Sequence, residues 1–112
     1  MPQLTARELI RMVRQAGYSV QTIEHLRTNR WLLIVRDAQI GVIALFVQSR
    51  ALVTAADVQD LAEIVRVRGL QRGILLAYGG IFSATAQRTC TELDHRLQLC
   101  TTLPPAPSNE NA

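Results

Sequence analysis

Leu9, Ile10, Val13 and Ala16 recur at helical spacing, with Arg7, Arg11 and Arg14 on the opposite side, which predicts an amphipathic first helix. Thr5 stands where an N-cap should be. Its hydroxyl can accept the Glu8 backbone N–H while the Glu8 carboxylate reaches back, and Gly17 supplies a left-handed stop. Tyr18, Val20, Thr22 and His25 alternate loosely with polar neighbours, as in an edge strand, which "RTNR" then breaks. "WLLIV" and "IGVIALFV" are continuous apolar runs flanking "RDAQ". They predict a hairpin of two strands buried on both faces, turning near Asp37 and Ala38.

Thr54 caps a second helix, in which Val58, Leu61, Ala62 and Val65 form the apolar stripe, Asp57 favours the N-terminal end and Gly69 ends it. "GILLAY" is a further buried strand, "GG" a turn, Ser83 the cap of a third helix to about Leu93, and "LQLCT" the last strand. The order α-β-β-β-α-β-α-β describes an α/β three-layer sandwich: a mixed central sheet with helices on both faces. One domain is expected over residues 1–102. Residues 103–112, proline-rich and without periodicity, read as a disordered tail.

Composition narrows the classes. At 112 residues there is no room for a second domain, and no apolar run approaches the roughly 18 residues that a membrane span needs. A soluble, cytoplasmic protein with no membrane contact is expected. Cys90 and Cys100 do not form a CxxC pair, and His25 and His95 sit in unrelated contexts, so two reduced thiols are expected and neither a zinc site nor another cofactor. A net charge of +3 permits contact with nucleic acid without requiring it. All 12 basic residues are arginine, which excludes any mechanism that needs a side-chain amine.

The succession of elements, with "ALVTAADVQDLAEIV" and "RGILLAYGGIFSATAQRTC" as its most specific pieces, resembles the restriction-endonuclease-like PD-(D/E)XK fold, and within it the Mrr-like branch. The likeness runs from the first helix to about Cys100. It implies an acidic residue at the start of the second strand and a (D/E)-x-K trio near the end of the third, where two carboxylates seat Mg²⁺ and the lysine supports the nucleophile. Laid on this chain, the trio falls on Phe46, Val47 and Gln48, and the first acidic position falls near Trp31, so every ionisable member is missing. With the hairpin turning at Asp37 and Ala38, Phe46 would lie opposite Asn29 and Gln48 opposite Arg27, leaving Asp37 at the far end of the strands. Glu8 and Glu24 are the remaining acidic candidates, better explained as a helix cap and a solvated strand residue respectively.

The resemblance therefore implies a degenerate, metal-free nuclease fold. Its former catalytic edge would gather Arg27, Asn29, Arg30, Gln48, Ser49 and Arg50, donors for phosphate oxygens with no acid to repel a backbone, joined by Ser83 and Thr85 at the start of the third helix. The expected function is DNA-backbone binding or scaffolding in a nucleic-acid-processing or defence system, with DNA and a protein partner or second copy as partners. The alternative is an interaction or dimerisation module that uses a sheet edge or a helix face around Trp31 and Tyr78. Hydrolysis survives only if a partner supplies the missing groups.

Overall fold

The computed structural model describes residues 4–37, 39, 41–93 and 96–106. Helix α1 (Ala6–Gln15) is followed by strands β1 (Ser19–Arg27), β2 (Arg30–Asp37), β3 (Gly41–Gln48) and β4 (Leu52–Val53). Helix α2 (Ala55–Arg68), β5 (Arg72–Ala77), β6 (Ile81–Phe82), α3 (Ala84–Leu93) and β7 (Leu97–Cys100) complete the order. The central sheet runs β1-β2-β3-β5-β7, with β1–β3 antiparallel and β5 parallel to both β3 and β7. This is the mixed α/β arrangement that the hydrophobic pattern predicts. Two-residue strands β4 and β6 are additional, pairing parallel outside the main sheet.

Strands β2 and β3 are buried on both faces because helices cover both sides. Trp31, Leu33, Val35, Ile43, Leu45 and Val47 pack with Leu9 and Val13 of α1. On the other face, Leu32, Ile34, Ala44 and Phe46 pack with Val58, Leu61 and Val65 of α2 and with Ala86 of α3. Alternation along each strand thus sends successive residues into two separate cores.

The hairpin turns later than its sequence suggests. Asp37 closes β2 opposite Gly41, and its carboxylate Oδ1 accepts the Gln39 N–H at 2.6 Å, so Asp37 opens the turn as an Asx-type residue. Ala38 lies outside the described residues. Gly41 re-enters the sheet at φ +107°, a left-handed conformation that favours glycine. The longer loop moves the whole register: Gln48 pairs with Arg30 and Phe46 with Leu32, not with Arg27 and Asn29.

The ordered backbone also continues past residue 102. Leu103 and Ala106 pack on the α1 side of the sheet, Tyr18 donates its hydroxyl to the Pro104 carbonyl at 3.0 Å, and the Ala106 N–H reaches the Ala16 carbonyl at 2.7 Å. The first four residues of the expected tail are therefore fastened to the domain.

Candidate functional site

Strands β3 and β5 lie side by side and parallel, so their carboxyl ends open at the same edge, the usual place for a site in such sheets. The segments leaving them stay together. Gln48 O accepts Tyr78 N–H at 2.9 Å, Ala51 O accepts Ile81 N–H at 3.0 Å, and Val53 O accepts Ser83 N–H at 2.9 Å. Gly80 is required by this approach, because a Cβ there would overlap the Arg50 carbonyl oxygen. From the other side, Ser49 N–H is tied to the Asn29 carbonyl at 2.8 Å, which brings the β1–β2 turn to the same edge.

A polar network fills the centre. Gln48 is fully buried, and its Oε1 accepts Arg30 Nε at 3.2 Å. The same guanidinium donates through Nη2 to Asp57 Oδ1 at 2.5 Å, and Arg50 Nη1 stands 3.7 Å from that oxygen. Asp57 Oδ2 accepts the Thr54 backbone N–H at 2.9 Å and the Thr54 hydroxyl at 3.3 Å. One buried carboxylate thus caps α2 and holds two arginines from the sheet edge. Asp60 Oδ2 adds a more distant partner for Arg30 at 3.9 Å.

This corrects the expectation of an arginine cluster with no acid nearby. Asp57 sits inside it and compensates Arg30, the most enclosed of the three arginines. A helix-opening aspartate three residues after Thr54 is a visible capping pattern, but its long-range partner is not written in local sequence. Arg27 and Arg50 keep most of the free positive charge: Arg27 makes no ion pair among the described residues, and Arg50 is tied only loosely.

Two cavities flank Arg50. One, of about 280 Å³, is lined by Arg27, Thr28, Asn29, Arg30 and Arg50. The other, of about 210 Å³, is lined by Leu4, Glu8, Ser49, Arg50, Ala51, Tyr78 and Gly79. A wider depression of about 640 Å³ lies on the outer face of α1 and gathers residues of that helix alone: Arg7, Ile10, Arg11, Arg14 and Gln15.

The remaining predicted positions separate. Phe46 is 2% exposed and packs in the core beneath α2. Trp31 is buried on the α1 side, its ring stacked on His25 with centroids 3.8 Å apart, so it offers no outward helix face for a partner. Tyr78 is exposed. Ser83 and Thr85 line neither cavity beside Arg50: the Ser83 hydroxyl accepts the Ala86 N–H at 3.0 Å and lies 3.0 Å from the Thr85 hydroxyl. Glu24 pairs with Arg68 at 3.2 Å on the surface. Thr5 accepts the Glu8 N–H at 3.2 Å, but the Glu8 carboxylate makes no return bond.

A divalent cation does not fit these residues. At the third-strand positions stand a benzyl ring and an amide whose oxygen is already used, and the adjoining carboxylate is held by two guanidinium groups that would repel a dication. Among the described residues, no three metal-ligating side chains converge. Cys90 and Cys100 are free thiols; burial raises both above the ordinary thiol range, Cys100 to about 11.

No known family model matches the chain, and no curated protein matches it in sequence. Among solved structures it is similar to EndoMS in its apo form, with a TM-score of 0.64 over 96% of this chain at 19% identity. The chain spans about half of that protein, 49% of its length. The likeness is one of fold.

Proposed function

We propose that this chain is a degenerate, Mrr-like nuclease-fold domain that binds the DNA backbone without cleaving it, as a component of a larger nucleic-acid-processing or defence assembly. The observation that carries this reading is the cleft lined by Arg27, Arg30 and Arg50 at the sheet edge where the resemblance places phosphodiester chemistry. Arg27 and Arg50 supply charge to phosphate oxygens, while Arg30, engaged by Asp57 and Gln48, holds the cleft's shape. Such binding is independent of sequence, because guanidinium contacts to phosphate carry no base information. The test is fluorescence anisotropy on duplex DNA over a salt series. Affinity should fall steeply with salt, and Arg27→Glu with Arg50→Glu should abolish binding; unchanged binding by that double variant refutes the reading.

A second reading, a protein-contact module, is supported by Leu52 and Ile81. These cross-strand partners in the small β4–β6 sheet are 46% and 66% exposed. Sedimentation at tens of micromolar tests self-association: a dimer that Leu52→Glu dissociates supports it, and a monomer at all concentrations counts against it.

A further inference from the structure

Arg50 borders both cavities at the strand ends, and the two differ in chemistry. The cleft on one side is cationic, with Arg27, Arg30 and two polar turn residues. The cavity on the other side is lined by Leu4 and Tyr78, by Glu8 as its one acidic residue, and by small residues and glycine elsewhere. Its walls are built rather than incidental: Tyr78 is anchored through its N–H to Gln48, and the Gly79–Gly80 turn is pressed against the Arg50 carbonyl. Tyr78 remains 41% exposed, and among the described residues the Glu8 carboxylate has no hydrogen bond or ion pair.

An anionic group beside Arg27 and Arg50, joined to a flat, partly apolar body that can lie on an aromatic ring, is a nucleotide. A carboxylate accepts hydrogen bonds and cannot donate them, so Glu8 selects a base with N–H donors on its edge. Guanine presents two adjacent donors, N1–H and the N2 amine, to which a carboxylate can bind in bidentate fashion. Thymine presents one donor between two carbonyl oxygens that a carboxylate repels. Arg50, standing between the two cavities, separates the Glu8 charge from the phosphate.

We propose that the cavity lined by Leu4, Glu8, Ser49, Arg50, Tyr78 and Gly79 receives an unpaired guanine, stacked on Tyr78 and read by Glu8, while the attached phosphate lies at Arg27 and Arg50. The assignment rests on the backbone-binding reading above and adds a ligand class to it: a guanine nucleotide outside a duplex, in a strand or free.

The test uses the full chain with labelled thymine 12-mers, one of which carries a single central guanine, and with a duplex as reference. The guanine-bearing strand should bind about tenfold more tightly than the all-thymine strand, the scale of one bidentate hydrogen-bonded base contact. Tyr78→Ala should weaken both single strands and spare the duplex. Glu8→Gln should remove only the guanine preference. Both side chains are at the surface, and melting curves confirm that the variants fold. Competition by guanosine monophosphate against the guanine strand identifies a free nucleotide as sufficient, and failure to compete assigns the occupant to a strand. Equal binding of the two strands, or a preference that survives Glu8→Gln, overturns the proposal. If Arg27→Glu weakens duplex binding but no guanine preference exists, only the base pocket fails. If Arg27→Glu and Arg50→Glu together change nothing, the backbone reading fails and the pocket with it.

Discussion

The Arg30 guanidinium, at the first residue of β2, is hydrogen-bonded at 2.5 Å to the carboxylate of Asp57, fully buried in the first turn of α2. The contact joins residues 27 positions apart and fixes the helix start to the sheet edge. Removing one partner leaves a buried charge without its counterpart, which costs roughly 3–5 kcal/mol. Arg30→Met and Asp57→Ala are each expected to lower stability on that scale. Asp57→Ala should be the worse of the two, since it also removes the bond to Thr54 N–H. Urea unfolding of both singles and the double gives the coupling, and the double should cost less than the two singles added together.

Phe46 stands where the resemblance would place a metal-binding carboxylate, and its ring is enclosed by the core beneath α2. Phe46→Ala is expected to destabilise the fold by about 3–5 kcal/mol through lost transfer energy and the cavity left behind. Phe46→Glu should be worse, because the new carboxylate would be buried without a partner or a lysine nearby. Neither variant should gain Mg²⁺-dependent cleavage of DNA, which a plasmid-nicking assay measures alongside thermal melting.

How much of this could be read in the chain depends on the range of each interaction. The apolar runs of β2 and β3 announce strands covered on both faces, and the capping residues Thr5, Thr54 and Ser83 mark the three helix starts, because these signals are local. The hairpin register depended on whether Asp37 stands at the centre of the turn or opens it. Its side-chain bond to Gln39 decides that, and three residues of offset moved Gln48 from Arg27 to Arg30. Strands β4 and β6 were not legible, since two residues carry no period. The Asp57 network was not legible either. The helix cap explained that aspartate fully, and only the fold shows that its second oxygen faces the sheet.

Gly79 and Gly80 are adjacent but should respond oppositely to substitution. Gly79 has φ +76° with open space around its Cβ position, so Gly79→Asn, a residue that tolerates the left-handed region, should change stability little. A Cβ at Gly80 would meet the backbone of Arg50 and Ala51, which no side-chain rearrangement relieves. Gly80→Ala should therefore push the β5–β6 turn away from Arg50, lowering the melting temperature by several degrees and weakening DNA binding with it. Equal effects at the two positions would show that the close approach is not a constraint.

Cys100 makes the pH dependence of the fold testable. Its Sγ lies 3.8 Å from the Leu75 carbonyl, and burial raises the thiol from 9.0 to about 11. The neutral thiol is therefore favoured in the folded chain, and it releases its proton more readily once unfolded. The associated stability is complete below pH 9 and declines as pH rises from 9 through about 11, because the unfolded state loses its proton first. Urea midpoints measured across that range should fall, and Cys100→Ser should flatten the decline relative to wild type. Alkylation by iodoacetamide at pH 8 should be slower at Cys100 in the native protein than in urea, since thiolate is the reacting form. Equal native and denatured rates at this residue would show that the thiol is not held in its protonated form by the fold.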